Sequence, residues 1–226
     1  MKKKTIAVIV AHPDDEAFGP SGTIAKYAKD GHDVYILCVT KGEEGDQHKK
    51  EDIREIHQIR EDELRSSARI LGAKDVFFLG FRDGSLSNNL YHQLADKITE
   101  VLKKIKADMI ITFEFRGISG HLDHIAVSMV SSYVFEKLPA IKTIYYYCTT
   151  REHRKLVDKY RPEGYFIFFP PGNNEKNIDL KVDITDVWET KLKAMNCHKS
   201  QIKDVRIVQN IYSELPRVEN FFVREK

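Results

Sequence analysis

The chain alternates short apolar runs with longer stretches in which apolar residues recur every three or four positions. Five of the runs are Thr5-Ile-Ala-Val-Ile-Val10, Val34-Tyr-Ile-Leu-Cys-Val-Thr40, Asp75-Val-Phe-Phe-Leu79, Asp108-Met-Ile-Ile-Thr-Phe113 and Thr143-Ile-Tyr-Tyr-Tyr-Cys148. Their length and their β-branched and aromatic content predict strands buried on both faces of a parallel sheet. Residues 23–29, 53–71, 88–106 and 125–137 carry helical spacing between them; in the second, Ile56, Ile59, Leu64, Ala68 and Leu71 lie on or near one face. Gly31 and Gly72 suit helix stops. Strands alternating with helices predict a Rossmann-like α/β fold, a mostly parallel sheet with helices on both faces, in a single domain over residues 1–226.

The rhythm changes from Arg151. Arg161-Pro and Pro170-Pro-Gly-Asn-Asn174 read as turns flanking Tyr165-Phe-Ile-Phe-Phe169 and Ile178-Asp-Leu-Lys-Val-Asp183. These two runs are expected as extra C-terminal strands on the sheet edge, or as a small lid. A helix capped by Thr185 or Asp186 is expected through Trp188, Leu192 and Met195 to His198.

Charge gathers where the predicted strands end, and parallel sheets place their ligands there. The first run opens into Ala11-His12-Pro13-Asp14-Asp15-Glu16, with three carboxylates and an imidazole on a turn stiffened by proline. Like charges packed this closely repel unless a cation neutralises them. The second run ends at Lys41-Gly-Glu-Glu-Gly-Asp46, and the fourth leads to His121-Leu-Asp-His124 at a helix start. Alone, the first cluster also reads as a solvated acidic loop, and the second as two surface histidines. Two such clusters at strand ends of one sheet favour a catalytic metal site, since two His and one carboxylate leave coordination positions open. Gly19-Pro-Ser-Gly22 lacks the G-x-G-x-x-G fingerprint, and the acidic residues beside it would repel a pyrophosphate, so dinucleotide binding is rejected.

Composition narrows the setting. The 226 residues are 42% hydrophobic and 31% charged, an ordinary globular balance. Lys plus Arg (36) against Asp plus Glu (34) gives +2, so no overall field recruits nucleic acid or an anionic membrane. Met1-Lys-Lys-Lys4 is basic, but the apolar run after it is too short for a signal peptide or a membrane span. Cys38, Cys148 and Cys197 show no C-x-x-C spacing, and the first two fall in strand-like runs, so free thiols and a cytoplasmic location are expected. His32, His48, His57, His92 and His153 have no partner pattern and read as surface residues.

The stretches His12-Pro-Asp-Asp-Glu16, Thr40-Lys-Gly-Glu-Glu-Gly45, Arg60-Glu-Asp-Glu-Leu64, Arg82-Asp-Gly84, Gly120-His-Leu-Asp-His124 and His198-Lys-Ser-Gln201 together resemble the LmbE-like (PIG-L) family of metal-dependent de-N-acetylases. Leu122 departs from it, where the family more often has proline. The resemblance implies that His12, Asp15 and His124 bind Zn²⁺, although the same triad also suits Fe²⁺ or another divalent ion. It implies Asp14 as general base, a protonated His121 facing the developing oxyanion, and Asp123 orienting an imidazole. Asp46, Arg60 and Asp83 match positions that lie near the sugar in relatives, and His198 reads as structural. The expected activity is hydrolysis of the N-acetyl group of an N-acetylglucosamine-type small molecule, such as GlcNAc-malate or a small chitooligosaccharide. No nucleic-acid or membrane partner is expected, and a homo-oligomer is compatible with the sequence. The alternatives are a metal-dependent amidase for a non-sugar amide and a non-catalytic, metal-stabilised binding module. Structural zinc sites are usually closed by four protein ligands, which weighs against the module.

Overall fold

A computed structural model describes residues 3–45, 55–161 and 169–226. In chain order its main elements are β1 (Thr5–Val10), α1 (Asp15–Phe18), α2 (Ser21–Lys29), β2 (Asp33–Cys38), α3 (Ile56–Leu71), β3 (Asp75–Phe78), α4 (Tyr91–Ile105), β4 (Met109–Phe113), α5 (Leu122–Lys137), β5 (Thr143–Cys148), α6 (Arg151–Tyr160), β6 (Leu180–Asp183), α7 (Trp188–Met195), α8 (Ile202–Ser213) and β7 (Val218–Glu225). The strands form one sheet in the order β3-β2-β1-β4-β5-β7-β6. The first five are parallel, and β7 and β6 extend the sheet antiparallel beyond β5.

β1 sits centrally because it is apolar on both faces: Ile6 to Ala11 are all essentially inaccessible to solvent. Ile6 pairs with Val34 of β2 on one side and with Met109 of β4 on the other. Leu64, Ala68 and Leu71 of α3, and Leu94, Ile98 and Leu102 of α4, cover the sheet as their spacing predicts. From β1 the chain works outward through β2 to β3, then returns to the other side of β1 with β4 and β5. That reversal opens a crevice beyond the carboxyl ends of β1 and β4, and both chemical clusters fall there.

The predicted boundaries shift at three places. α5 begins at Leu122, three residues earlier than its apolar spacing suggests, because the His121 side chain caps it by accepting the Asp123 N–H. The predicted start of α3 and most of the run at residues 165–169 lie outside the described residues. In the C-terminal section, Leu180–Asp183 of the run 178–183 forms an edge strand and the helix expected from residue 185 is α7, but α6, α8 and β7 have no counterpart in the expectation. A buried ion pair explains part of this. Lys191 of α7 and Glu219 of β7, both fully buried, bond at 2.8 Å, and in a sequence each reads as a surface charge. The Glu219 carboxylate also accepts the Gly22 and Thr23 N–H groups at the start of α2.

Cys38 and Cys148 are buried free thiols. Among the described residues no helix is long and apolar enough to cross a membrane.

Candidate active site

The loop after β1 is held in a conformation that its own residues do not favour. Asp14 has φ 111° and ψ −27°, a region that residues other than Gly, Asn and Asp rarely enter. Two side chains hold it there. Glu16 accepts the Asp14 N–H at 3.1 Å, and its other oxygen takes bonds from Ser67 Oγ at 2.6 Å and His198 Nε2 at 2.8 Å. Arg60, buried on α3, donates to the Pro13 carbonyl at 2.6 Å, the Gly42 carbonyl at 2.9 Å and Asp14 Oδ2 at 3.0 Å. Gly42 permits this approach: it has φ 71°, and a Cβ there would lie 2.3 Å from Arg60 Nη1. The acidic cluster is therefore divided, with Glu16 turned into the protein and Asp14 and Asp15 facing the crevice.

Across the crevice, α5 brings its first turn over β1. His124 Nδ1 donates to the Gly117 carbonyl at 3.0 Å, which leaves a lone pair on Nε2. Gly117, at φ 65°, is needed because a Cβ there would sit 2.7 Å from His124 Cβ. His12 donates through Nε2 to Asp83 Oδ1 at 2.9 Å, with Asp123 Oδ2 at 3.3 Å, and these carboxylates together with Asp15 raise its pKa well above the usual imidazole value against burial. Its Nδ1 faces His124 Nε2 at 3.1 Å. Asp15 completes the triangle, with Oδ1 3.3 Å from His124 Nε2 and Oδ2 3.6 Å from His12 Nδ1. Without a metal, a proton on His12 bridges the two nitrogens; a divalent cation can displace it and take both nitrogens and the carboxylate as donors. Donors about 2.0–2.1 Å from a shared tetrahedral centre lie roughly 3.3 Å apart, so the set fits a zinc-sized ion.

Residues 7–134 match the family model for GlcNAc-PI de-N-acetylase, PIG-L. The chain belongs to this family. It is 30% identical over 207 residues to the "Probable N-acetyl-alpha-D-glucosaminyl L-malate deacetylase 2" of Bacillus cereus, covering 88% of this chain and 84% of that one. It is 27% identical over 242 residues to the 1D-myo-inositol 2-acetamido-2-deoxy-alpha-D-glucopyranoside deacetylase of Rhodococcus jostii, covering 89% and 83%. Its structure is similar to the N,N'-diacetylchitobiose deacetylase of Pyrococcus horikoshii, with a TM-score of 0.71, 25% identity and coverage of 99% and 85%.

In this PIG-L chain the electrostatics separate the two adjacent aspartates. Burial pushes the Asp14 carboxyl up to about 7, against the opposing pull of Arg60. Burial also opposes ionisation of Asp15, but His124 and His12 outweigh it and hold that carboxyl well below the usual range. Burial lowers His124 to about 4, so it is a neutral imidazole at neutral pH, the form able to bind a metal. Burial and the neighbouring His12 lower His121 too, against Asp123. Thus Asp14 is poised to exchange a proton near neutrality, while Asp15 stays charged.

The structure places the other candidates as follows. Asp123 accepts the Gly84 and Leu86 N–H groups and orients His12. Asp83 lies behind His12, bonded to its Nε2. Arg60 is engaged beneath the Asp14 loop, and Asp46 lies outside the described residues. His32 and His153 depart from their surface reading: His32 is buried and accepts the Lys4 N–H, and His153 lines the crevice. His48 lies outside the described residues. Sequence reasoning missed Glu16 as the support of Asp14. The available signal was its partner, since the His198 motif has no role of its own until Glu16 is placed against it.

Two expected results follow from these contacts. Asp83→Asn should weaken divalent-metal affinity roughly 10–100-fold by loosening His12, read by competition with a chelator. An unchanged affinity would remove Asp83 from the support of His12. Arg60→Gln removes the cation that favours ionised Asp14, so the acid limb of kcat/KM should move to higher pH. Activity at pH 6 should then fall more than activity at pH 8; a limb that stays in place would show that Arg60 does not tune Asp14.

Proposed function

We propose that the protein is a divalent-metal-dependent hydrolase that removes the acetyl group from an N-acetylglucosamine conjugate, with Zn²⁺ held by His12 Nδ1, Asp15 Oδ1 and His124 Nε2. The observation that carries this reading is the convergence of His12 Nδ1 and His124 Nε2, 3.1 Å apart, beside the Asp15 carboxylate. His12, Asp83 and Asp123 also bring ligand atoms close together on the far side of the same imidazole. There His12 has a proton to donate, and hydrogen bonds satisfy the group, so this trio supports the metal ligand.

A bound divalent ion supplies Lewis-acid polarisation of the amide carbonyl and acidifies a water to a pKa of about 7. Asp14, ionised and supported on the crevice wall, accepts the proton of the attacking water. As the C–N bond breaks, the protonated Asp14 returns that proton to the nitrogen, giving acetate and a free amine. His121 donates from Nε2 to the oxygen on which negative charge develops. The crevice opens into a cavity of about 450 Å³, a size suited to a small molecule.

The test is to incubate the zinc-loaded protein with GlcNAc-malate, diacetylchitobiose and N-acetylated amino acids. Equal release of acetate and free amine from the sugars alone is expected. Turnover of the amino acids alone would favour the non-sugar amidase, and no turnover with metal fully bound would favour the binding module. His124→Ala should lose both the metal and the acetate release.

A further inference from the structure

Among the described residues three other than glycine have positive φ: Asp14, Lys106 and Ile118. Lys106 caps the end of α4, an ordinary place for a left-handed residue. Asp14 is of a type that tolerates the region. Ile118, at φ 64°, has neither excuse, because a β-branched side chain crowds its own backbone there. It is the middle residue of a three-residue turn, closed by the Ser119 N–H donating to the Gly117 carbonyl at 2.6 Å. With positive φ at its centre, such a turn is the rare, strained form. A glycine here would relieve the strain, so the strain is kept for the side chain.

Ile118 lines the cavity. The turn that bears it is fastened on both sides to the site. The Gly117 carbonyl accepts His124 Nδ1 at 3.0 Å, and Ser119 Oγ accepts the His121 backbone N–H at 3.3 Å. Arg116 ties the same loop down, donating to the Glu114 carboxylate at 3.1 Å and to Asn173 Oδ1 at 2.7 Å. Ile118 is therefore held beside the two imidazoles of α5's first turn. Between the end of β4 and that turn, the cavity is lined by Phe113, Ile118, Ser119, His121 and His124. Phe113 and Ile118 are the apolar members. The Phe113 ring lies flat against His124, with centroids 4.5 Å apart and planes at 7°, so one of its faces is covered. Half-buried Ile118 packs on the core with part of its surface and gives the rest to the cavity.

We infer that Ile118 bounds the acyl group of the substrate and restricts the protein to acetyl over longer chains. This rests on the deacetylase reading above and names a specificity-determining residue for it. In that reading the amide oxygen faces His121, and the nitrogen with its sugar faces Asp14 and the open cavity. The methyl carbon is the remaining substituent of the carbonyl carbon and the apolar end of the acetamido group. It falls to the side where Ile118 stands, and apolar contact there removes it from water. An added methylene would have to displace a side chain whose backbone the turn and the loop hold fixed.

The experiment measures amine release by the zinc-loaded full chain from glucosaminyl malate and from chitobiose, each bearing N-acetyl, N-propionyl or N-butyryl groups. The wild type is expected to prefer acetyl to propionyl by about 10–200-fold in kcat/KM, the range for one methylene in an apolar pocket. Ile118→Ala should lower that ratio about tenfold or more, whereas Ile118→Val, still β-branched, should lower it less than about threefold. Ile118→Gly should lower it as Ala does, yet melt at a higher temperature than Ile118→Ala, since glycine alone is unstrained at φ 64°. Metal content should stay full in all three variants, because the Gly117 carbonyl and not the Ile118 side chain holds His124. A wild type indifferent to acyl length, or a ratio unchanged in Ile118→Ala and Ile118→Gly, overturns the inference while leaving the deacetylase reading intact. Loss of metal in Ile118→Ala also overturns it, since the side chain would then serve the ligand His124. Amine release from neither N-acetyl parent, with metal bound, overturns both.

Discussion

Asp14→Asn is expected to leave the fold and the metal in place and to lower kcat by roughly 10²–10⁴-fold. The fold should hold because Asn tolerates positive φ nearly as well as Asp does, so the backbone at φ 111° gains no new strain. The Asn N–H still reaches Glu16, and its side-chain oxygen can still accept from Arg60. Metal affinity should hold because the proposed ligand triangle uses Asp15, which accepts the His12 backbone N–H at 2.7 Å and is held ionised by His124 and His12. Only the proton acceptor is lost. Asp15→Asn removes a ligand charge instead and should empty the site. Metal content and kcat measured on both variants separate the roles: an empty Asp14→Asn beside an active Asp15→Asn would exchange them.

The parallel half of the fold was legible because each strand is uniformly apolar and each helix carries one apolar stripe, so periodicity alone distinguished them. The two clusters were legible for a related reason. His12, Asp14, Asp15, His121 and His124 sit where an apolar run stops, and parallel sheets bring such stops to one edge. Less legible was the direction in which each charged side chain points. Asp83 and Arg60 look like surface groups suited to sugar hydroxyls, yet Asp83 turns to His12 and Arg60 to the carbonyls beneath Asp14. Glu16 and His198 are 182 positions apart and both fully buried, and nothing local in the chain announces that they meet. The C-terminal section was hardest: the helix that became α7 was legible despite buried Lys191, but buried Glu219 in β7 breaks the apolar run that reveals a strand.

His121→Ala is expected to keep the metal and to lower kcat by about 10²–10³-fold, the usual loss when one oxyanion donor is removed. For this proposed role the structure favours a neutral His121 over the protonated form expected from the sequence. Its Nδ1 accepts the Asp123 N–H at 3.2 Å as the cap of α5, so the ring proton sits on Nε2. A second proton would displace the cap bond, and burial and His12 already lower the pKa of this imidazole. An imidazolium would therefore exist only at pH values where Asp14, pushed up to about 7, is still protonated and unable to act as base. A bound cation opposes the second proton further. The neutral Nε2–H donor is the form available once Asp14 ionises, so activity should rise with pH through the Asp14 limb and then show no falling limb from His121. Because the residue also caps a helix, His121→Ala should lose about 1 kcal/mol of stability together with the activity. His121→Asn restores a good capping side chain but is too short to donate across the crevice. It should recover the melting temperature and leave kcat low. An alkaline limb in the wild type that vanishes in His121→Asn would restore the charged donor, and loss of metal in both variants would make His121 a ligand, as its closeness to His12 and His124 permits.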